Sequence, residues 1–171
     1  MTDPSRFIFC PYDGEKLIAN RKIQKGHRFC RSCGFVDYQN PKACVAVLIL
    51  QGDKILLARR GVEPAKGEWD IPGGFVEAKE SAEKAVFRET LEETRLRVRV
   101  REYLGSLPDV YHPRCSPTLN LCYWVEIVHG IPTAKSDVDA LKWFRLDNLP
   151  KKLAFAHQAQ AIEILRKRLK S

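Results

Sequence analysis

Seven consecutive apolar residues, Cys44 to Leu50, constrain this chain more than any other stretch. They read as a buried strand. Gln51-Gly52-Asp53 then makes a turn, and Lys54 to Arg60 returns as a second strand, so the pair forms a hairpin. Trp69-Asp70-Ile71 is a short strand stopped by Pro72-Gly73-Gly74. Residues 81–94 hold no proline or glycine and form a helix, with Ala82, Ala85, Val86 and Phe87 as its apolar face. Leu96 to Arg101 alternates apolar and basic residues, the pattern of a strand with one wet face. Pro108, Pro113 and Pro117 mark a long loop. Thr118 to Val128 and Ala140 to Arg145 are further strands. Ala154 to Lys170 is a second helix, with Ala156, Ala159, Ile162, Ile164 and Leu165 on its inner face. The order strands, helix, strands, helix predicts an α/β fold, a sandwich of helices around a mixed sheet.

Hydrophobic residues make up 44% of the 171 positions, enough for one packed domain with a small appendage. The apolar run is too short to span a bilayer, and Met1 to Arg6 lacks the basic-then-apolar pattern of a signal peptide. A cytoplasmic protein without a membrane partner is expected. In a reducing compartment the six cysteines serve metals, catalysis or packing rather than disulfides. Cys44 and Cys122 lie in apolar runs and read as core, and Cys115 has no evident role. A net charge of +8 favours phosphate-bearing partners, a small nucleotide before a nucleic acid. The basic groups Arg21-Lys22, Arg95 to Arg101 and Arg166-Lys167-Arg168 are spread along the chain, and the last reads as a solvated helix tail.

The first helix carries an unusual acidic face. Glu89, Glu92 and Glu93 are spaced i, i+3, i+4, which gathers three carboxylates on one side. Alone, such a stripe reads as a solvated face. A divalent cation relieves its repulsion, and carboxylate oxygens suit hard ions such as Mg²⁺ or Mn²⁺. Arg88 stands four residues before Glu92 and can steer it. Upstream, Gly73 and Gly74 let backbone approach a ligand, and Glu77 and Glu80 add carboxylates before the helix.

From Gly74 the chain reads Gly, five residues, Glu80, seven residues, Arg88-Glu89, two residues, Glu92-Glu93. This resembles the Nudix box, G-x5-E-x7-R-E-U-x-E-E-x-G-U. The lead-in Gly67 to Glu77 and the later Lys142-Trp143-Phe144 and Leu149-Pro150 extend the likeness. Two positions depart: Thr90 replaces an aliphatic residue and Arg95 a glycine. The family glycine looks like a helix C-cap at positive φ, where Arg95 costs on the order of 1 kcal/mol. Neither change removes a carboxylate. The resemblance implies a Nudix-type α/β/α sandwich and a pyrophosphohydrolase. It implies Mg²⁺ on Glu89, Glu92 and Glu93, with Glu77 or Glu80 completing the shell, Arg88 orienting a glutamate, and Gly73 and Gly74 shaping the substrate site. For the base, the resemblance implies either a box glutamate or an acid from a later loop, where Asp137 and Asp139 are candidates and Glu126 a weaker one. Arg59 or Arg60, at the end of a strand, is a candidate phosphate contact. Trp124, Tyr111 and Phe155 are candidates to stack a base, although aromatic residues more often anchor cores or loops. Nudix proteins are often dimers, so a homodimer is compatible with the resemblance.

Residues 7–41 are too short and turn-rich to build a core, and a metal is the usual remedy. Cys10-Pro11-Tyr12-Asp13-Gly14 and Cys30-Arg31-Ser32-Cys33-Gly34 each resemble a zinc-ribbon knuckle. Asp13 stands where a fourth cysteine is expected. A Zn²⁺ site of Cys10, Asp13, Cys30 and Cys33 is one reading, with His27 as the alternative fourth ligand. The expected division is a zinc-ribbon-like module at 1–41 and a Nudix domain at 42–171. That pairing resembles the NADH pyrophosphatase branch, which implies NADH, ADP-ribose, FAD or similar dinucleotides as substrates. The branch's S-Q-P-W-P-F-P-x-S segment is absent, and Ser106-Leu107-Pro108-Asp109-Val110 stands near its place. Two other readings stay open: a nucleotide-sensing or nucleic-acid-binding protein on the same fold, and a hydrolase of nucleoside triphosphates.

Overall fold

A computed structural model describes residues 7–19, 27–111 and 117–170. Arg21-Lys22, Pro113 and Cys115 lie outside the described residues. Near the N-terminus, β1 (Ile18–Ala19), β2 (Arg28–Phe29) and β3 (Val36–Asp37) form a small antiparallel sheet. Its interior is a cluster of Cys10, Leu17 and Cys30 with Phe35 packed on it.

The larger sheet has seven strands. β4 (Lys42–Gln51), β5 (Lys54–Arg60), β8 (Arg97–Val110), β9 (Pro117–His129) and β10 (Val138–Arg145) run in the order β10-β5-β4-β9-β8. The short β6 (Trp69–Asp70) pairs with β5, and β7 (Gly73–Phe75) pairs with β4. β4 and β9 are parallel and the other pairs antiparallel, so the sheet is mixed. The hairpin predicted at Gln51-Gly52-Asp53 is present, with Gln51 opposite Lys54.

The continuous apolar run is explained by burial on both faces. Along β4, Val45, Val47 and Ile49 point to the layer holding Ala85, Val86 and Leu96. Ala46 and Leu48 point to the layer holding Ala161, Ile162 and Leu165. Leu56 of β5 joins the first layer, and Ile55 and Leu57 the second. Helix α1 (Ala82–Thr94) covers one face and α2 (Ala156–Arg168) the other. The result is an α/β/α sandwich.

Three expectations need correction. Pro108 does not end a strand: β8 continues through it, with Pro108 opposite Leu119. β8 is the end strand of the sheet, where a missing N–H need not break a ladder. The inner face of α1 is Ala85, Val86, Thr90, Glu93 and Thr94, whereas Phe87 is exposed. In α2 the inward residues are His157, Gln158, Ala161, Ile162 and Leu165, while Ala156 and Ala159 face solvent.

The two departures from the box are accommodated locally. The buried Thr90 hydroxyl donates to Val86 O at 2.6 Å, so the polar group costs little in an apolar layer. Arg95 has φ 62°, the left-handed cap expected there, and its amide donates to Leu91 O. Ser81 caps the other end, accepting from the Lys84 amide. Among the described residues, no helix is long and apolar enough to cross a membrane.

Candidate active site and the Cys-Asp cluster

The cleft is built where β7 lies along β4, with Ala46 opposite Gly73 and Val45 opposite Gly74. This approach requires glycine. A Cβ on Gly73 would lie 2.0 Å from Val45 O, and one on Gly74 would lie 2.3 Å from Glu89 Oε1. The loop and the acidic helix are thereby pressed together around a cleft of about 460 Å³.

Arg88 organises the helix side. Its Nε and Nη2 donate to Glu80 at 3.0 and 2.9 Å, and its Nη2 also donates to Phe75 O. Nη1 reaches Glu89 at 2.8 Å and Glu92 at 3.3 Å. Glu80 therefore locks Arg88 and does not line the cleft. Glu89 lines it, and burial holds its carboxyl above the usual carboxylate range against the pull of Arg88. Glu93 is buried and accepts from the Gly73 amide at 3.0 Å. Burial, and then Asp70, Asp137 and Glu89, push it well up. Glu77 also lines the cleft. Glu92 sits apart, half exposed and off the lining.

The cleft thus gathers Glu77, Glu89, Glu93, Asp70, Asp109 and Asp137, with Arg60, Arg88 and His157 as the basic lining side chains among the described residues. An oxygen-only set with excess negative charge, buried at Glu93 and Asp70 and open to solvent at Glu77 and Asp137, fits a hard divalent cation. Of the candidate bases outside the box, Asp137 lines the cleft, as the box glutamates Glu89 and Glu93 do, and its carbonyl accepts from the Gly61 amide. Asp139 instead packs against Gly61, and Glu126 is paired with Arg99 and Arg101.

Arg59 is exposed and off the lining, a correction to its place among the substrate contacts. Arg60, its neighbour on the opposite face of β5, lines the cleft. It pairs with Asp70 at 2.7 Å, donates to Tyr111 Oη at 3.1 Å, and stacks under the rings of Tyr111 and Phe155. Those rings stack on one another at 5.4 Å and 22°, and both line the cleft. Trp124 does not; Arg101 covers its ring.

The sequence reading missed Asp109, Asn120, His157 and Gln158, all buried or half-buried in the lining. A signal existed for two of them. His157 and Gln158 extend the inward stripe of Ala161, Ile162 and Leu165 by one turn, and polar residues on a core-facing stripe need partners.

In the N-terminal module the two knuckles share one hydrogen-bond pattern. The Cys10 amide donates to Glu15 O and the Gly14 amide to Cys10 O; Cys30 and Gly34 repeat this with Phe35 O and Cys30 O. Gly14 and Gly34 have φ 75° and 78°, values that glycine adopts cheaply. The ligand atoms of Cys10, Asp13, Cys30 and Cys33 all lie within 4.8 Å of one another, so the four could hold a metal ion. Among the described residues His27 stands outside this group, with its Nδ1 against Asp37 O.

Comparison with known proteins agrees with this geometry. The family description "NUDIX domain" matches residues 39–166. An ADP-ribose pyrophosphatase of Methanocaldococcus jannaschii is 40% identical over 146 residues, 84% of this chain and 79% of that protein. The NAD-capped RNA hydrolase NudC of Pseudomonas aeruginosa is 35% identical over 122 residues. That match takes in 71% of this chain but 42% of the hydrolase, so the chain spans less than half of that relative. Among solved structures, a NUDIX hydrolase from Nitrosomonas europaea superposes with a TM-score of 0.75 at 24% identity, covering 96% of this chain and 91% of its own. An ADP-ribose pyrophosphatase from Streptococcus suis gives 0.63 at 26% identity, covering 77% and 94%.

Proposed function

We propose, from the fact that this chain belongs to the NUDIX domain family, that its cleft hydrolyses the pyrophosphate of a nucleoside diphosphate linked to a second moiety, with ADP-ribose, NADH and FAD as the substrate class. The observation that carries this reading is the carboxylate set of Glu77, Glu89, Glu93 and Asp137 facing one cleft beside Gly73 and Gly74. Glu89 and Glu93 would hold Mg²⁺ or Mn²⁺, with Glu77 and, by a side-chain rotation, the half-exposed Glu92 completing the set. The bound ion supplies charge neutralisation at the pyrophosphate and acidifies an attacking water. The chain's own groups do the rest. Arg88 fixes Glu89 through the hydrogen bond at 2.8 Å. The backbone of Gly73 and Gly74 admits the phosphates closely. Asp137 accepts the proton as the water oxygen bonds to one phosphorus. The bridging P–O bond breaks, and two phosphomonoesters leave.

In this reading residues 1–41 form a zinc-ribbon-like module and 42–171 the catalytic domain, in a protein of the reducing cytoplasm. Cys10, Asp13, Cys30 and Cys33 would take one Zn²⁺, since three thiols and a carboxylate converge with matching knuckle geometry. The resemblance to the NADH pyrophosphatase branch rests on this module. The Pseudomonas aeruginosa relative's name adds a second candidate substrate, NAD-capped RNA, whose pyrophosphate is chemically the same.

The test is a substrate panel with Mg²⁺ or Mn²⁺: ADP-ribose, NADH, FAD, NAD-capped RNA and nucleoside triphosphates. Phosphomonoesters from the diphosphate-linked compounds, with triphosphates poor, support the proposal. Preferential release of pyrophosphate from triphosphates would move the enzyme to the other hydrolase class.

A further inference from the structure

Oxidation joins thiols in pairs, and the cluster of Cys10, Asp13, Cys30 and Cys33 holds an odd number of them. One of the three cysteines is therefore left over when the cluster is oxidised, and the geometry picks it out. Cys33 is exposed, whereas Cys10 and Cys30 are 4% and 1% exposed, so an oxidant in solvent reaches Cys33 first. Cys33 Sγ lies 3.5 Å from Cys10 Sγ on the other knuckle. A disulfide needs about 2.05 Å, so the two sulfurs have about 1.5 Å to close, within the reach of side-chain rotation. The Cys30 thiol is turned to two carboxylates, Asp13 Oδ2 at 3.2 Å and Glu15 Oε2 at 3.5 Å. The Ser32 amide donates to Glu15 Oε2 at 3.1 Å and pins it there. The matching hydrogen bonds of the two knuckles make Phe35 the counterpart of Glu15, and Phe35 packs on the cluster without a charge. Negative charge beside a sulfur disfavours the thiolate that disulfide exchange requires, so Glu15 sets Cys30 apart.

We propose that the N-terminal module is a peroxide-responsive switch, in which Cys33 and Cys10 form a disulfide across the two knuckles while Cys30 stays a thiol. The Cys33 sulfur attacks one oxygen of hydrogen peroxide, the O–O bond breaks, and a sulfenic acid and water result. The Cys10 sulfur then attacks the Cys33 sulfur. The S–S bond forms, the S–O bond breaks, and the Cys10 proton leaves with the hydroxide as a second water. Two thiols are oxidised by two electrons and one peroxide is reduced to two waters. In a reducing compartment the thiols are the resting state, and thiol reductants reverse the bridge. The bridge removes two ligands from any metal held by the cluster and takes over its task of tying the knuckles together. Only that release step rests on the proposed zinc site; the disulfide follows from the thiols alone.

The test is to treat the purified full chain with hydrogen peroxide, alkylate the remaining thiols and map the peptides by mass spectrometry, with a chromogenic chelator reading released zinc. A Cys10–Cys33 linkage, an alkylated Cys30 and recovery of all three thiols after dithiothreitol are expected, with zinc released in proportion to the bridge. In Cys10→Ser, dimedone should trap Cys33 as its sulfenic acid. A Cys30–Cys33 or Cys10–Cys30 linkage in the wild type, over-oxidised Cys33 without a bridge, or three unmodified thiols overturns the proposal. Glu15→Gln should admit a Cys30–Cys33 fraction, and an unchanged map would overturn the role given to Glu15. A Cys10–Cys33 bridge in protein that carries no zinc at the outset would uphold the switch and refute the zinc reading.

Discussion

Glu93 carries two opposing demands. Its carboxylate sits among Asp70, Asp137 and Glu89, yet it is buried and held by the Gly73 amide. Replacing it with glutamine keeps an acceptor for that amide and removes the charge. We therefore expect Glu93→Gln to melt no lower than wild type in metal-free buffer, and to lose at least about 100-fold in kcat. Melting curves and steady-state rates check both halves. Asp109 tests a different residue-scale claim. Burial alone would raise its carboxyl, but the His157 amide and ring outweigh burial and hold it below the usual range. A depressed folded-state pKa contributes stability above the unfolded value, and that stability is lost as pH falls through the folded one. Asp109→Ala should cost about 1–2 kcal/mol at pH 7, the value of a lost helix cap, because Phe155 provides no side-chain cap to α2. The gap from wild type should shrink in acid, read by denaturant unfolding at both pH values. Neither Asp109 nor His157 stood out in the sequence, since their partnership spans 48 positions and has no local spacing.

The elements were more legible than the contacts between them. Apolar runs with a turn at Gln51-Gly52-Asp53 sufficed for the β4–β5 hairpin, because burial on both faces leaves no polar position in the run. The box spacing located α1 and its carboxylates, because i, i+3, i+4 is a property of the helix itself. Pro108 misled because a proline's meaning depends on whether its strand is central or terminal, and strand order is a tertiary fact. Arg59 and Arg60 differ only in the face of β5 they occupy, which adjacent arginines cannot reveal. Glu92 shows the limit of periodicity: it shares the acidic side of α1 but lies off the cleft. At this scale the end of α1 gives a clean prediction. Arg95 is exposed at φ 62°. Arg95→Gly should raise stability by about 1 kcal/mol by relieving the left-handed strain, partly offset by the unfolded chain's added freedom. A shift in denaturant midpoint at unchanged slope is the expected reading.

At the scale of the molecule, two separate sheets carry two separate clusters of ionisable side chains. The seven-stranded sheet, covered on both faces, holds the carboxylate cleft between the β7 loop, α1 and the first turn of α2. The three-stranded sheet has its own small interior around Cys10 and Cys30, and Cys10, Asp13, Cys30 and Cys33 converge there in a group that could hold a metal ion. If zinc supplies what that small interior lacks, purified protein should contain about one zinc per chain, and Cys30→Ser should lose it. Elemental analysis reads this directly, and full zinc retention in the variant would contradict the assigned ligands. Metal-dependent pyrophosphate hydrolysis in the carboxylate cleft is tested most directly by AMP release from ADP-ribose with and without Mg²⁺, for wild type and Glu93→Gln side by side. Mg²⁺-dependent release by wild type, reduced at least about 100-fold in the variant, is the predicted result. Equal release by the two proteins, or release by wild type that ignores Mg²⁺, would contradict it.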